Sequence, residues 1–146
     1  MKILVPVDGS ASSIKGLNKA VEYAQKFPAE IILVNVQHDH YVDESMMGPR
    51  APLVFISPKQ LAERGNHLLD QMADKIKDSG IAMTRKLLFG DPASALVTFA
   101  DEEKVDMIII GSKGLTGIKK FMLGSVALKV ATYAHCTVVI IKLDEV

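Results

Sequence analysis

Short apolar runs alternate along this chain with stretches in which apolar residues recur every three or four positions. Residues 2–7, Lys-Ile-Leu-Val-Pro-Val, are closed by Asp8-Gly9-Ser10, a pattern that predicts a buried strand ending in a turn. Pro6 belongs at that strand's end because it cannot donate to a ladder. Ile14, Leu17, Val21 and Ala24 then keep helical spacing up to Phe27, with Ser10 or Ser12 available as the N-cap. Residues 31–36 form a second apolar run, broken only by Asn35, of the kind covered on both faces.

Residues 37–56 have no period and hold His38, Asp39, His40, Gly48, Pro49 and Pro52, so a long loop is expected. Loops beyond about 12 to 15 residues are usually functional or disordered. Ser57-Pro58-Lys59-Gln60 combines an N-cap, a proline at the first helical position and a capping-box glutamine. Leu61, Leu68, Leu69, Met72 and Ile76 mark the buried face of the helix that follows, and Ser79-Gly80 ends it. Residues 81–88 form a less apolar strand, which suits a place near a sheet edge. Asp91 caps a third helix with Ala93, Leu96, Val97 and Ala100 inward. Residues 105–110 make a fourth strand, a helix from about Ser125 to Tyr133 turns Val126, Val130 and Ala131 inward, and residues 137–143 close the chain as an almost wholly apolar strand.

Strict alternation of strand and helix predicts an α/β fold, an open parallel sheet with helices on both faces. Right-handed crossovers leave few topologies for it. No repeat, low-complexity tract or long linker divides the sequence, so residues 1–146 are expected to form a single domain.

Composition narrows the functional classes. Seventeen basic and 17 acidic residues balance, which gives no overall sign of a nucleic-acid-binding face or a polybasic membrane tether. No apolar stretch approaches the roughly 18 residues of a membrane span, and the apolar run before Asp8 is too short for a secretory signal, so a cytoplasmic protein is expected. The one cysteine, Cys136, excludes an internal disulfide.

Candidate chemistry concentrates in residues 111–125, Gly-Ser-Lys-Gly-Leu-Thr-Gly-Ile-Lys-Lys-Phe-Met-Leu-Gly-Ser, which join the fourth strand to the last helix. Strand, glycine loop and helix N-terminus together present backbone N–H groups and a positive dipole end to phosphate. Gly111 and Gly114 are expected to let the backbone turn and approach a ligand, Gly124 to leave room for phosphate oxygens, and Ser125 to add a hydroxyl donor.

With Val5-Pro6-Val7-Asp8-Gly9-Ser10, Leu33-Val34-Asn35-Val36, Gly90-Asp91-Pro92-Ala93 and the complete G-x2-G-x9-G-S loop in this order, the whole chain resembles the universal stress protein family. The resemblance implies an open five-stranded parallel sheet of order 3-2-1-4-5, Rossmann-like, with its ligand crevice between the first and fourth strands. It implies an ATP site, often with a divalent ion such as Mg, in which Asp8 contacts the ribose, Val36 offers its backbone to adenine, and Gly111, Gly114, Gly124 and Ser125 hold the phosphates. Pro6, Val7, Ile110 and Val126 flank these positions and complete the expected nucleotide-binding set. Asn35 departs from the histidine that many members carry; little consequence is expected, because the adenine contact is mainly backbone.

Lys113, Lys119 and Lys120 add positive charge to the loop, with Lys113 the candidate for phosphate contact. His38-Asp39-His40 lacks the spacing of a metal site and reads as polar loop. Cys136 beside His135 reads as a buried, inert thiol and His67 as a surface residue. Met46 and Met47 are candidates for contact with a partner or nucleotide, and Met122 for packing ahead of the last helix.

An acidic residue after the first strand also suits a phosphoryl-accepting receiver domain, but the acidic pair and the phosphoacceptor after the third strand are missing. The function expected is an ATP-binding regulatory or stress-response homodimer, paired through the C-terminal strand 137–143 and read by an unidentified protein partner, with no nucleic acid and no membrane as partners. No lysine sits in a G-x4-GK[ST] loop and no nucleophile has a general base nearby, so at most slow ATP hydrolysis is expected. The alternatives are a nucleotide-dependent transferase or ligase of the adenine-nucleotide α-hydrolase type, of which residues 8–13 are a faint echo, and a structural dimer that binds no nucleotide.

Overall fold

The computed structural model describes residues 1–38, 41–42, 53–54, 56–114 and 122–143. Its elements run β1 (Lys2–Pro6), α1 (Ala11–Lys26), β2 (Glu30–Gln37), β3 (Tyr41–Val42), β4 (Leu53–Val54), α2 (Pro58–Lys75), β5 (Met83–Phe89), α3 (Pro92–Glu102), β6 (Met107–Gly111), α4 (Ser125–Tyr133) and β7 (Thr137–Ile141). Five strands form one parallel sheet in the order β5-β2-β1-β6-β7, which is 3-2-1-4-5 when these strands alone are counted along the chain.

Burial on both faces explains the continuous apolar runs. Ile3, Val5, Ile31, Leu33 and Ile109 pack with Leu17, Ala20, Leu69 and Met72 of α1 and α2 on one face. Leu4, Ile32, Val34, Ile108 and Ile110 pack with Leu96, Phe99, Ala127 and Val130 of α3 and α4 on the other. The strand β5 is a sheet edge, which is why it tolerates exposed Thr84, Arg85 and Lys86.

Local signals behave as their chemistry requires. Ser10 caps α1 by accepting from the Ser13 N–H at 3.1 Å, and Asp91 caps α3 by accepting from Ser94 at 3.0 Å. Ser57 and Gln60 form the reciprocal capping box of α2. Two helical readings shift. In α3 the buried set includes Phe99, while Val97 is half-buried. In α4 Ala127 lies inward and Ala131 outward, with Val126 half-buried and Val130 buried as expected. The expected loop at 37–56 contains a short antiparallel pair, Tyr41 with Val54 and Val42 with Leu53. The strand β7 ends at Ile141, before the expected limit at 143.

Candidate functional site

The carboxyl ends of β1, β2 and β6 and the first turn of α4 surround a cleft of about 440 Å³. It is lined by Pro6, Val7 and Asp8 from β1 and its exit, Val36 from β2, Ile110, Gly111, Lys113 and Gly114 from β6 and its loop, and Gly124, Ser125 and Val126 at the start of α4. Every residue of the expected nucleotide set is therefore brought to one concavity. Ser13, Val34, Asn35, His38, Pro92, Leu96 and Ala127 also line it. Of these, Val34, Asn35 and Pro92 lay in the segments that carried the resemblance, whereas Leu96 was expected only as a core residue of its helix. A more open hollow of about 550 Å³ at the opposite ends of the strands is lined by Met1, Lys2, Glu30 and Asp106, among others, and by none of the expected set.

Each wall of the cleft is built by identifiable contacts. Gly9 turns the chain out of β1 with φ +84°, a conformation that a side chain would strain. Asp8 does not cap α1; its Oδ1 accepts from the Ser10 N–H at 2.9 Å, and its own N–H donates weakly to Ser13 Oγ at 3.4 Å. Asp8 Oδ2 lies 3.4 Å from where a Cβ on Gly114 would stand, so the two segments are near neighbours, without a glycine at 114 being required for the approach. Ser10 and Ser13 are spent on each other, since the Ser13 hydroxyl also donates to the Ser10 carbonyl at 3.1 Å. Residues 8–13 thus form a helix entrance, without the glycine-rich loop of a transferase.

Gly111 has a packing role beside the expected one. It ends β6, and a Cβ there would meet the Ser12 carbonyl oxygen at 2.5 Å, so its missing side chain admits α1. The loop beyond is pinned at three points. The Ser112 N–H donates to the Ile141 carbonyl at 2.9 Å, the Gly124 N–H donates to the Ser112 carbonyl at 2.7 Å, and the Lys113 N–H donates to Ser12 Oγ at 3.0 Å. Gly124 caps α4 without a side-chain hydrogen bond, whereas α1, α2 and α3 are all side-chain capped. The first turn of α4, which Gly124 does not cap with a side chain, lines the cleft, where helix N–H groups and the helix dipole favour an anion.

The sequence of this chain matches the universal stress protein family over residues 1–142. The chain belongs to that family. A universal stress protein of Methanocaldococcus jannaschii is 34% identical over 143 residues, covering 97% of this chain and 81% of the relative. A Bacillus subtilis universal stress protein is 32% identical over 145 residues, covering 97% and 98%. Among solved structures, a hypothetical protein studied as a structural-genomics test case shares the fold with a TM-score of 0.80 at 24% identity, covering 99% and 97% of the two chains. The Archaeoglobus fulgidus universal stress protein in complex with dAMP has a TM-score of 0.69 at 26% identity, covering 97% and 98%. A universal stress protein in complex with cAMP has a TM-score of 0.70 at 26% identity, covering 97% and 96%.

The remaining candidates fall outside the cleft or outside the described residues. Asp39, His40, Met46, Met47, Lys119, Lys120 and Phe121 lie outside the described residues, and His38 lines the cleft mouth. Among the described residues no three His, Cys, Asp or Glu side chains gather as a metal site, and no helix is long and apolar enough to cross a membrane. Cys136 is half-buried, and its burial pushes the thiol pKa up, so it stays protonated and weakly nucleophilic. His135 places Nδ1 3.0 Å from an Asp101 carboxylate oxygen, and His67 is exposed. Met122 is 59% exposed and does not pack as expected; Leu123, Leu128 and Tyr133 are exposed nearby in sequence.

Proposed function

We propose that the cleft binds an adenine nucleotide, ATP, and that the protein acts as a nucleotide-dependent regulatory homodimer. The observation that carries this reading is the N-terminus of α4, without a side-chain cap, lining the same cleft as Asp8. The phosphates lie against Gly124, Ser125, Val126 and the 111–114 backbone, with Lys113 as a point charge. Asp8 takes the ribose, and the backbone of Val36 takes the base, beside apolar Pro6, Val7 and Ile110. The dAMP and cAMP complexes of relatives support an adenine nucleotide as the ligand.

Magnesium would come with the triphosphate, held by phosphate oxygens and water; Asp8 is the one carboxylate among the described residues that line the cleft, a donor set that suits this ion. Nucleotide binding orders the loop and alters a surface read by a partner, provided ATP favours the ordered state. Among the described residues the outer edge of β7 has no neighbouring strand in the sheet, and twofold pairing of this strand with a second copy covers it.

Mass spectrometry of nucleotide released from denatured purified protein tests the reading. ATP at near-stoichiometric level supports it. Absence of nucleotide, together with no calorimetric binding at millimolar ATP, overturns it.

A further inference from the structure

The ladder between β1 and β2 stops in an unusual way. In this pair Glu30 donates to the Met1 carbonyl at 2.9 Å, and Val7 donates to the Val34 carbonyl at 2.9 Å. Even-numbered residues of β2 therefore turn their backbone groups toward β1, and odd-numbered ones toward β5, as the bond from the Gly90 N–H to the Gln37 carbonyl shows. By that alternation the next bond toward β1 runs from the Val36 N–H to the Val7 carbonyl.

That bond is replaced. The Val7 carbonyl accepts instead from Asn35 Nδ2 at 2.7 Å, and Asn35 Oδ1 accepts from Gln37 Nε2 at 2.7 Å. Asn35 is 4% exposed, and it sits beneath α2 at Gly65, where a Cβ would stand 3.1 Å from Oδ1. The carboxamide is thus held at both ends. No described residue bonds the Val36 N–H in place of Val7, and Val36 lines the cleft.

We infer that Asn35 is a positioning residue for base selection: by capping the Val7 carbonyl it withholds that acceptor from Val36 and leaves the Val36 N–H and C=O for a purine edge. This rests on the adenine-nucleotide reading of the cleft. Adenine presents an N6–H donor beside the N1 acceptor, which matches a C=O and an N–H in that order. Guanine presents an O6 acceptor beside an N1–H donor, which reverses the match and leaves polar groups unpaired. Asn35 touches no ligand in this scheme. Its effect passes through the partner that Val36 is denied.

The test uses the full chain with Asn35→Leu and Asn35→Asp. Leucine removes the carboxamide; aspartate keeps its shape and the acceptor for Gln37 but cannot donate to Val7. In nucleotide-free wild-type protein the Val36 amide is expected to exchange quickly with solvent, and in Asn35→Leu slowly, because the Val36-to-Val7 bond now forms. Calorimetry with ATP, GTP and tripolyphosphate is expected to show ATP affinity falling about tenfold in either variant, equivalent to about one or two hydrogen bonds. GTP and tripolyphosphate affinities stay level, so the ATP-to-GTP ratio collapses. General loosening of the fold weakens all three ligands together and speeds Val36 exchange, and that result overturns the inference. An unchanged ATP-to-GTP ratio in a folded variant overturns it too. Should wild-type protein bind no adenine nucleotide, the cleft reading fails, while the exchange of Val36 still decides whether Asn35 governs its hydrogen bond.

Discussion

Ser12 and Lys113, 101 positions apart, are joined by a 3.0 Å hydrogen bond from the Lys113 backbone N–H to the Ser12 hydroxyl. Ser12 is 2% exposed and Lys113 half-buried, so this bond is partly shielded from water. It ties the first turn of α1 to the start of the glycine loop. Ser12→Ala is expected to lower stability by about 1 to 2 kcal/mol and to weaken ATP binding several-fold by releasing the loop. Urea unfolding and calorimetry measure the two effects. A stability loss with unchanged affinity removes Ser12 from the site.

Gly111→Ala tests the same junction from the other side. The new Cβ would meet the Ser12 carbonyl oxygen at 2.5 Å, a backbone atom that cannot rotate away. The helix α1 must shift off β6, an overpacking strain of about 1 to 3 kcal/mol or more. Thermal unfolding is expected several degrees lower than wild type even without nucleotide. Wild-type stability of the ligand-free variant would return Gly111 to a ligand-contact role.

The contrast between these two residues and the strands shows what could be read in advance. The runs at β1, β2, β6 and β7 are legible because strands buried on both faces must be continuously apolar, whatever their neighbours are. The caps Ser10, Ser57 and Asp91 are legible because capping acts over three residues. The reason for Gly111 is not, since it depends on Ser12, which only the fold brings near. The strands β3 and β4 have two residues each, too few for a period to show. In α4 the inward set has Ala127 in place of Ala131, because alanine carries almost no signal to tell one phase of the helix from the other. Asn35 looked like an interruption of an apolar run. Its hydrogen bonds to Val7 and Gln37 depend on where β1 ends, which no local pattern states.

Gly124 tests the phosphate placement. Its φ of −61° suits any residue, so substitution brings no backbone strain. A Cβ would lie 3.3 Å from the Ser112 carbonyl oxygen and 3.4 Å from Lys113 Cα, tight but short of a hard clash. Gly124→Ala is therefore expected to fold with a small loss of affinity. Gly124→Val adds branches at the mouth of α4 and is expected to weaken ATP binding about tenfold or more, about 1.4 kcal/mol or above. Both affinities come from calorimetry. Wild-type affinity in the valine variant places the phosphates elsewhere.

Asp91 gives a pH signature. Its carboxylate accepts hydrogen bonds from Ser94 and lies in the field of Lys129, which together hold its pKa below the usual 3.8. A lowered native pKa means that the contribution is complete above the unfolded value and is lost as pH falls through the native one. Asparagine is as good a cap but has no charge to lose. Asp91→Asn is expected to be less stable than wild type by a few tenths of a kcal/mol at pH 7, and the difference should vanish once acid, below the usual 3.8, protonates Asp91. Urea midpoints across pH 2 to 7 report it. A gap that persists in acid would show that shape, not charge, separates the two caps.

The dimer needs a substitution that puts no charge against the core, on which Ile140 packs as well. Val139 and Ile141 pack against the cluster beneath α1, so charges there would unfold the protein before they tested pairing. The bond from the Ser112 N–H to the Ile141 carbonyl shows that odd-numbered residues of β7 turn their backbone groups to β6. Val138 and Ile140 therefore point their N–H groups away from β6, toward the free edge. Ile140→Pro removes one outward donor and no bond to β6, a position where an edge strand tolerates proline. Light scattering is expected to give a dimer for the wild type and a monomer for Ile140→Pro, with the ATP site intact by calorimetry. A folded Ile140→Pro that remains dimeric places the twofold contact on another surface, of which the exposed Leu128 and Tyr133 of α4 offer the next one to mutate.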